Sequence, residues 1–87
     1  MQAVYSPIQL KKQQYRGVFT IISYNPLWEQ MEIKGITTYT LINKYGINPR
    51  TVNNLKHNKG ITLYTLEILC NALDCTPDKI VEFTKNT

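Results

Sequence analysis

Residues 37–55, TTYTLINKYGINPRTVNNL, read as two short helices joined by a tight turn. Leu41 and Ile42 fall on the inner side of the first helix, and Gly46 closes it by adopting the left-handed conformation at least cost. Ile47 then drops into the core. Asn48 is placed to cap the second helix, and Pro49 suits its first position, where no backbone donor is needed. Val52 and Leu55 recur three residues apart as a buried stripe, which leaves Arg50, Thr51, Asn53, Asn54 and His57 outside. This is the pattern of a helix-turn-helix whose second helix presents a polar face.

Helical signals continue on both sides. Asn25 as cap and Pro26 at the first position open a helix that buries Leu27, Met31 and Trp28 and ends at Gly35. Thr37 caps the next helix, expected over about 38–45, and the exposed-face helix is expected over about 49–57. After the loop His57-Asn58-Lys59-Gly60, Thr62 caps a helix whose apolar stripe is Leu63, Leu66, Leu69, Cys70 and Leu73, with Cys75 as its end plug. Thr76-Pro77-Asp78 then predicts a fifth, short helix burying Ile80, Val81 or Phe83 and fraying at Lys85-Asn86-Thr87. Residues 1–22 lack this period. They contain Pro7 and Gly17 and finish in the β-branched run Val18–Ile22, and the segment is open to four readings: an arm, a strand paired across a dimer, a partly disordered tail, or an upstream extension outside the functional domain. No second strong strand candidate offers it a partner within the chain. The division expected is therefore an extension at 1–22 and one domain at 23–87.

At 87 residues and 43% hydrophobic content there is room for one packed core and no more. No apolar run reaches the roughly 20 residues of a membrane helix, and no secretory signal opens the sequence. Cys70 and Cys75 read as small buried hydrophobes in a reducing cytoplasm. With one histidine and no C-x-x-C they do not make a zinc site. His57 has no carboxylate nearby to orient it, and there is no glycine-rich phosphate loop, nucleophile elbow or carboxylate pair, so no enzyme is expected. The net charge is only +4, but its placement is uneven. Between Glu32 and Glu67 there is no acid, while Lys34, Lys44, Arg50, Lys56 and Lys59 all fall there, with His57 beside them. Cations gathered around a polar helix face point to a polyanion, whose phosphates release counterions when lysine and arginine approach.

In this frame residues 26–83 resemble the Cro and lambda-repressor type of helix-turn-helix domain, the Xre family. The resemblance rests on Gly35-Ile36-Thr37, the turn Tyr45-Gly46-Ile47-Asn48, the pair Val52 and Leu55, and the run from Thr62 to Cys75. Pro26-Leu27-Trp28 and Asp78-Lys79-Ile80-Val81-Glu82 match the first and last helices of small bacterial and phage regulators within it. It implies an all-α, compact five-helix lambda-repressor-like domain with a non-helical N-terminal extension. It also implies a transcriptional regulator that binds double-stranded DNA as a homodimer in the cytoplasm, with no cofactor, metal, membrane or small-molecule ligand. Where relatives carry glutamine near the start of the second helix this chain has Thr38, and Pro49 replaces a polar base contact, so reading shifts to Arg50 and Asn54.

The site residues follow from that placement. Arg50, Thr51, Asn53 and Asn54 are the candidates for base edges, arginine for guanine and asparagine for adenine. Thr37, Thr38, Lys44, Lys56, His57, Asn58, Lys59 and Thr62 are the candidates for phosphate. Tyr39 and Tyr64 are placed to flank the backbone, and Lys11, Lys12 and Arg16 make the extension a candidate arm. The rival reading is an antitoxin-like module that binds a partner protein through the same outer face. That face lacks the apolar or aromatic anchors such a role needs.

Overall fold

The computed structural model describes residues 19–86. Along them run strand β1 (Phe19–Ser23), helices α1 (Asn25–Lys34), α2 (Thr38–Asn43), α3 (Pro49–Lys56) and α4 (Leu63–Leu73), a 3-10 turn at Pro77–Lys79, and strand β2 (Glu82–Asn86).

The helix ends follow their sequence chemistry. Gly35 leaves α1 in the left-handed conformation at φ 67°, and Gly46 makes the turn between α2 and α3 at φ 73°. Thr37 Oγ1 accepts from Thr40 N at 3.2 Å and Thr62 Oγ1 from Thr65 N at 3.1 Å, while Asn48 Oδ1 accepts from Arg50 N at 2.7 Å. Each cap satisfies a backbone donor that the first helical turn leaves open. Asn25 differs from expectation. It is the first helical residue, and its own N–H is taken by Ser23 Oγ at 3.2 Å.

The core lies where the four helices meet. Leu27, Leu41, Leu55, Leu69, Leu73 and Ile80 are fully buried, one or two from each helix and one just after the 3-10 turn, with Tyr24, Met31, Ile47, Val52 and Ala72 completing the cluster. Each such aliphatic side chain contributes about 1.5–3 kcal/mol by leaving water. Trp28 packs at the edge of this cluster, as its sequence position suggests.

Two expectations are overturned. The described residues are not all-α with five helices; they form four helices and a two-stranded antiparallel sheet. Thr76-Pro77-Asp78 does start a helical turn, but one turn is all that forms, and Glu82–Asn86 continues as a strand. The reason lies in residues 80–84, where β-branched Ile80, Val81 and Thr84 and the aromatic Phe83 favour extended backbone. That strand is the missing partner of the N-terminal β-branched run. Thr20 pairs with Lys85, Ile21 with Thr84, Ile22 with Phe83 and Ser23 with Glu82, so residues 19–22, counted by sequence with the extension, join the sheet. Leu63 is the second correction. It is 81% exposed, and the buried line of α4 is Leu69, Ala72 and Leu73 instead. The readings of Lys11, Lys12 and Arg16 concern residues outside the described ones.

One buried aromatic joins these parts. Tyr24, 2% exposed, sits between β1 and α1, and its hydroxyl donates to Lys59 O at 2.7 Å while its N–H donates to Asn58 Oδ1 at 3.2 Å. Both acceptors belong to the segment just after α3. Burial pushes the Tyr24 phenol above its ordinary value of 10.0. Replacing Tyr24 by Phe keeps the packing and removes one hydrogen bond, so urea unfolding should show a loss of about 0.5–1.5 kcal/mol. A phenol whose folded pKa is raised favours the native state below its unfolded value and loses that contribution as pH climbs past it. Native stability should therefore fall from about pH 10 upward in the wild type, and fall less steeply in Tyr24→Phe.

Candidate nucleic-acid interface

Helix α3 divides cleanly between inside and outside. At about 100° per residue, Val52 and Leu55 form one side, and Arg50 and His57 fall opposite them, with Asn53 and Asn54 to either side. The burial agrees: Val52 and Leu55 are buried, Arg50, Asn53 and His57 exposed, and Asn54 half-buried. Thr51 stands nearer the buried stripe and is itself half-buried, so it borders the face instead of centring it. Arg50 lies in the first turn, where Asn48 fixes its backbone N–H and leaves the guanidinium in solvent.

The segment after α3 is held by several independent contacts. His57 Nδ1 lies 2.8 Å from Asn53 O; because a carbonyl only accepts, that nitrogen carries a proton and donates it. Lys59 N donates to Asn54 O at 2.8 Å. Asn58 takes the left-handed conformation at φ 56°, a residue type that tolerates it, and its side-chain Oδ1 accepts from Tyr24 N. Asn58, a candidate phosphate contact by sequence, thus works first as the anchor of this turn. The side chains of Lys56 and Lys59 are exposed on either side of it.

On the helices flanking α3, Thr37 and Thr62 use their hydroxyls as caps, and each also meets a second threonine hydroxyl, Thr40 at 3.1 Å and Thr65 at 3.2 Å. The same short pattern, Thr-x-Tyr-Thr, places Tyr39 and Tyr64 two residues past each cap, 73% and 79% exposed. Thr38 is half-buried. Lys44 is exposed and its ammonium sits 5.5 Å from the centre of the Tyr45 ring, a cation–π arrangement that restrains the side chain beside the turn.

Lys34 leaves the cluster in which its sequence position puts it. Its ammonium donates to Leu73 O and, at 3.3 Å, to Asp74 O, the carbonyls at the C-terminal end of α4. A cation there satisfies free carbonyls and opposes the negative end of the helix dipole. Its use as an internal tie has no signal in the sequence, because the two ends it joins lie far apart along the chain.

Cys70 and Cys75 are free thiols, half-buried at that same end, with Cys75 N donating to Cys70 O at 3.0 Å. Burial first, and then the neighbouring Cys75, push the Cys70 thiol up, which suits packing more than reactivity. Among the described residues no three His, Cys, Asp or Glu side chains gather as a metal site, and no helix is long and apolar enough to cross a membrane.

A family model for the Cro/C1-type HTH DNA-binding domain matches residues 26–86. Among solved structures the chain is similar to the crystal structure of the transcriptional regulator VanUg, Form II. The two are 25% identical, with a TM-score of 0.71 over 77% of this chain and 89% of that one. No curated protein matches the sequence.

The left-handed turn at Asn58 yields a test of how the post-α3 segment is held. Asn58→Gly and Asn58→Ala lose the same bond to Tyr24 N, but only alanine carries the steric penalty of positive φ. By chemical denaturation Asn58→Ala should be less stable than Asn58→Gly by about 1 kcal/mol.

Proposed function

This chain belongs to the Cro/C1-type helix-turn-helix DNA-binding domain family, and on that premise we propose that it is a small cytoplasmic transcriptional regulator that reads duplex DNA with α3 in the major groove. One observation carries the reading: the solvent side of α3 is wholly polar and basic, with Arg50 at its centre, and the cationic turn beyond it is tied to the core by Tyr24. Arg50 reads a guanine through its planar fork, and Asn54 or Asn53 an adenine one turn later. Thr51, at the margin of the face, meets a thymine methyl or the adjoining phosphate. Lys44, Lys56, His57 and Lys59 supply phosphate contacts, as do the starts of α2 and α4 at Thr37, Thr38 and Thr62, and Asn58 holds its neighbours in place for this. Because one recognition helix spans only a few base pairs, two copies bind one operator.

Selection of bound sequences from a random duplex pool gives the site and its symmetry together. Affinity should fall steeply with salt, with a slope of about −0.9 for each phosphate neutralised. Arg50→Ala should cost about 1–3 kcal/mol at the selected site and relax the preference at one position per half-site. Lys59→Ala should weaken binding to all duplexes alike and reduce the salt slope by about one. No detectable binding to duplex DNA at low salt, together with recovery of a protein partner by the same face, would replace this reading with an interaction module.

A further inference from the structure

Cys70 and Cys75 stand at the C-terminal end of α4, and nothing in the DNA-binding reading uses their thiols. The helix ends there in a turn with two hydrogen bonds. Cys75 N donates to Cys70 O at 3.0 Å and Asp74 N to Asn71 O at 3.4 Å, while Asp74 takes the left-handed conformation at φ 51°. In a turn of this kind the side chains at the two ends of the longer loop, here the two cysteines, pack on one another. The backbone sets the separation as well. With Cys75 N 3.0 Å from Cys70 O, standard bond lengths put the two Cα atoms no more than about 6.9 Å apart, even laid out in line. Bent as real bonds are, they come inside the range of about 4.4–6.8 Å that a disulfide spans. Both side chains are half-buried against the same core cluster, and Cys75 is near enough to act directly on the Cys70 thiol. Lys34 holds the turn from α1 through Leu73 O and Asp74 O, so the two thiols meet with little chain freedom left to lose.

We propose that Cys70 and Cys75 form a redox-responsive dithiol, closed to a disulfide by low-molecular-weight disulfides and reopened by the matching thiol. The Cys75 thiolate attacks one sulfur of the small disulfide, whose S–S bond breaks and releases one thiolate. Cys70 then gives its proton to solvent, attacks the Cys75 sulfur and releases the second. Two protein thiols are oxidised, one small disulfide is reduced to two thiols, and the two protons end on those. The order follows from burial, which together with Cys75 and Asp78 holds the Cys70 thiol above its ordinary value. A scarce thiolate is a poor first attacker, yet it suffices when its target is already in contact. A short ring on a half-exposed turn is the labile kind of disulfide, which a reducing compartment opens again. Closed, it pins the end of α4 to the chain that leads into the 3-10 turn and buried Ile80. The start of α4 lies about 16 Å away along the axis, so the bond leaves the polar face untouched and the inference does not rest on DNA binding.

The test equilibrates the full chain with graded ratios of oxidised to reduced glutathione, both native and in urea, followed by alkylation with iodoacetamide and intact-mass measurement. The native chain should lose two hydrogens and both alkylation sites together, and dithiothreitol should restore them. By linkage, the factor by which folding favours the bond equals the factor by which the bond favours folding. Both should be about tenfold to fortyfold, the upper figure being the limit for so short a loop. Cys70→Ser and Cys75→Ser should each keep the helical circular dichroism and stop at one glutathione adduct, formed faster on Cys75 than on Cys70. A bond that forms no more readily in the native chain than in urea overturns the proposal, as does a native wild type that stops at a stable glutathione adduct. The reverse order of rates in the two serine variants overturns the assignment of Cys75 as attacker.

Discussion

The Tyr24 side chain is the constraint on which the rest of the arrangement depends. Its ring, between β1 and α1, is sealed in the core, while its hydroxyl and backbone N–H hold the two residues that follow α3. A tyrosine of this kind buries roughly 200 Å², an upper limit of about 5 kcal/mol from leaving water, so packing outweighs the hydrogen bonds in energy. The hydrogen bonds decide geometry instead. They fix the height and direction of the turn at His57–Gly60 relative to the helices, and with it the lysines that flank α3. A surface meant to meet a rigid double helix gains from such preorganisation, because side chains already in place lose less freedom on contact.

Charge is distributed by the same logic of separate duties. Lys34 closes the end of α4 and ties it to the end of α1, so one of the cations in the acid-free span serves the fold alone. Lys44 is restrained by Tyr45, and His57 is held through Nδ1 by Asn53 O, whereas Arg50, Lys56 and Lys59 are left to solvent. The side chains freest to reach a ligand therefore cluster on α3 and the turn beyond it.

What the sequence made legible was what acts over three or four residues. Thr37, Asn48 and Thr62 cap the helices that their positions foretell, and Gly35 and Gly46 end segments where a left-handed residue is needed. The outward set on α3 follows from period alone. What failed depended on distant partners. Glu82–Asn86 becomes a strand because β1, far away in sequence, lies ready to pair with it, and the local signal at Thr76-Pro77-Asp78 secured one turn only. Leu63 fits the helical stripe by spacing yet faces outward, because the core-facing line of α4 runs through Leu69, Ala72 and Leu73. Tyr24 and Asn58 meet across more than thirty positions, as do Lys34 and Leu73, and no window of sequence displays such contacts.

The sheet also sets an order of assembly. The four helices arise from contacts between neighbours along the chain, but β1 and β2 lie at the two ends of the described segment, and pairing Thr20 with Lys85 requires closing everything between them. Loop closure of that length is an entropic cost with no reward until the helices have already brought the ends together. The strands are therefore the last part to form and the first to open. Amide hydrogens of Thr20–Ile22 and Phe83–Lys85 should therefore exchange through a local opening that leaves the helices folded, and those of Leu41, Leu55 and Leu69 only on global unfolding. The clasp opens and closes on its own, over a helical core that stays folded.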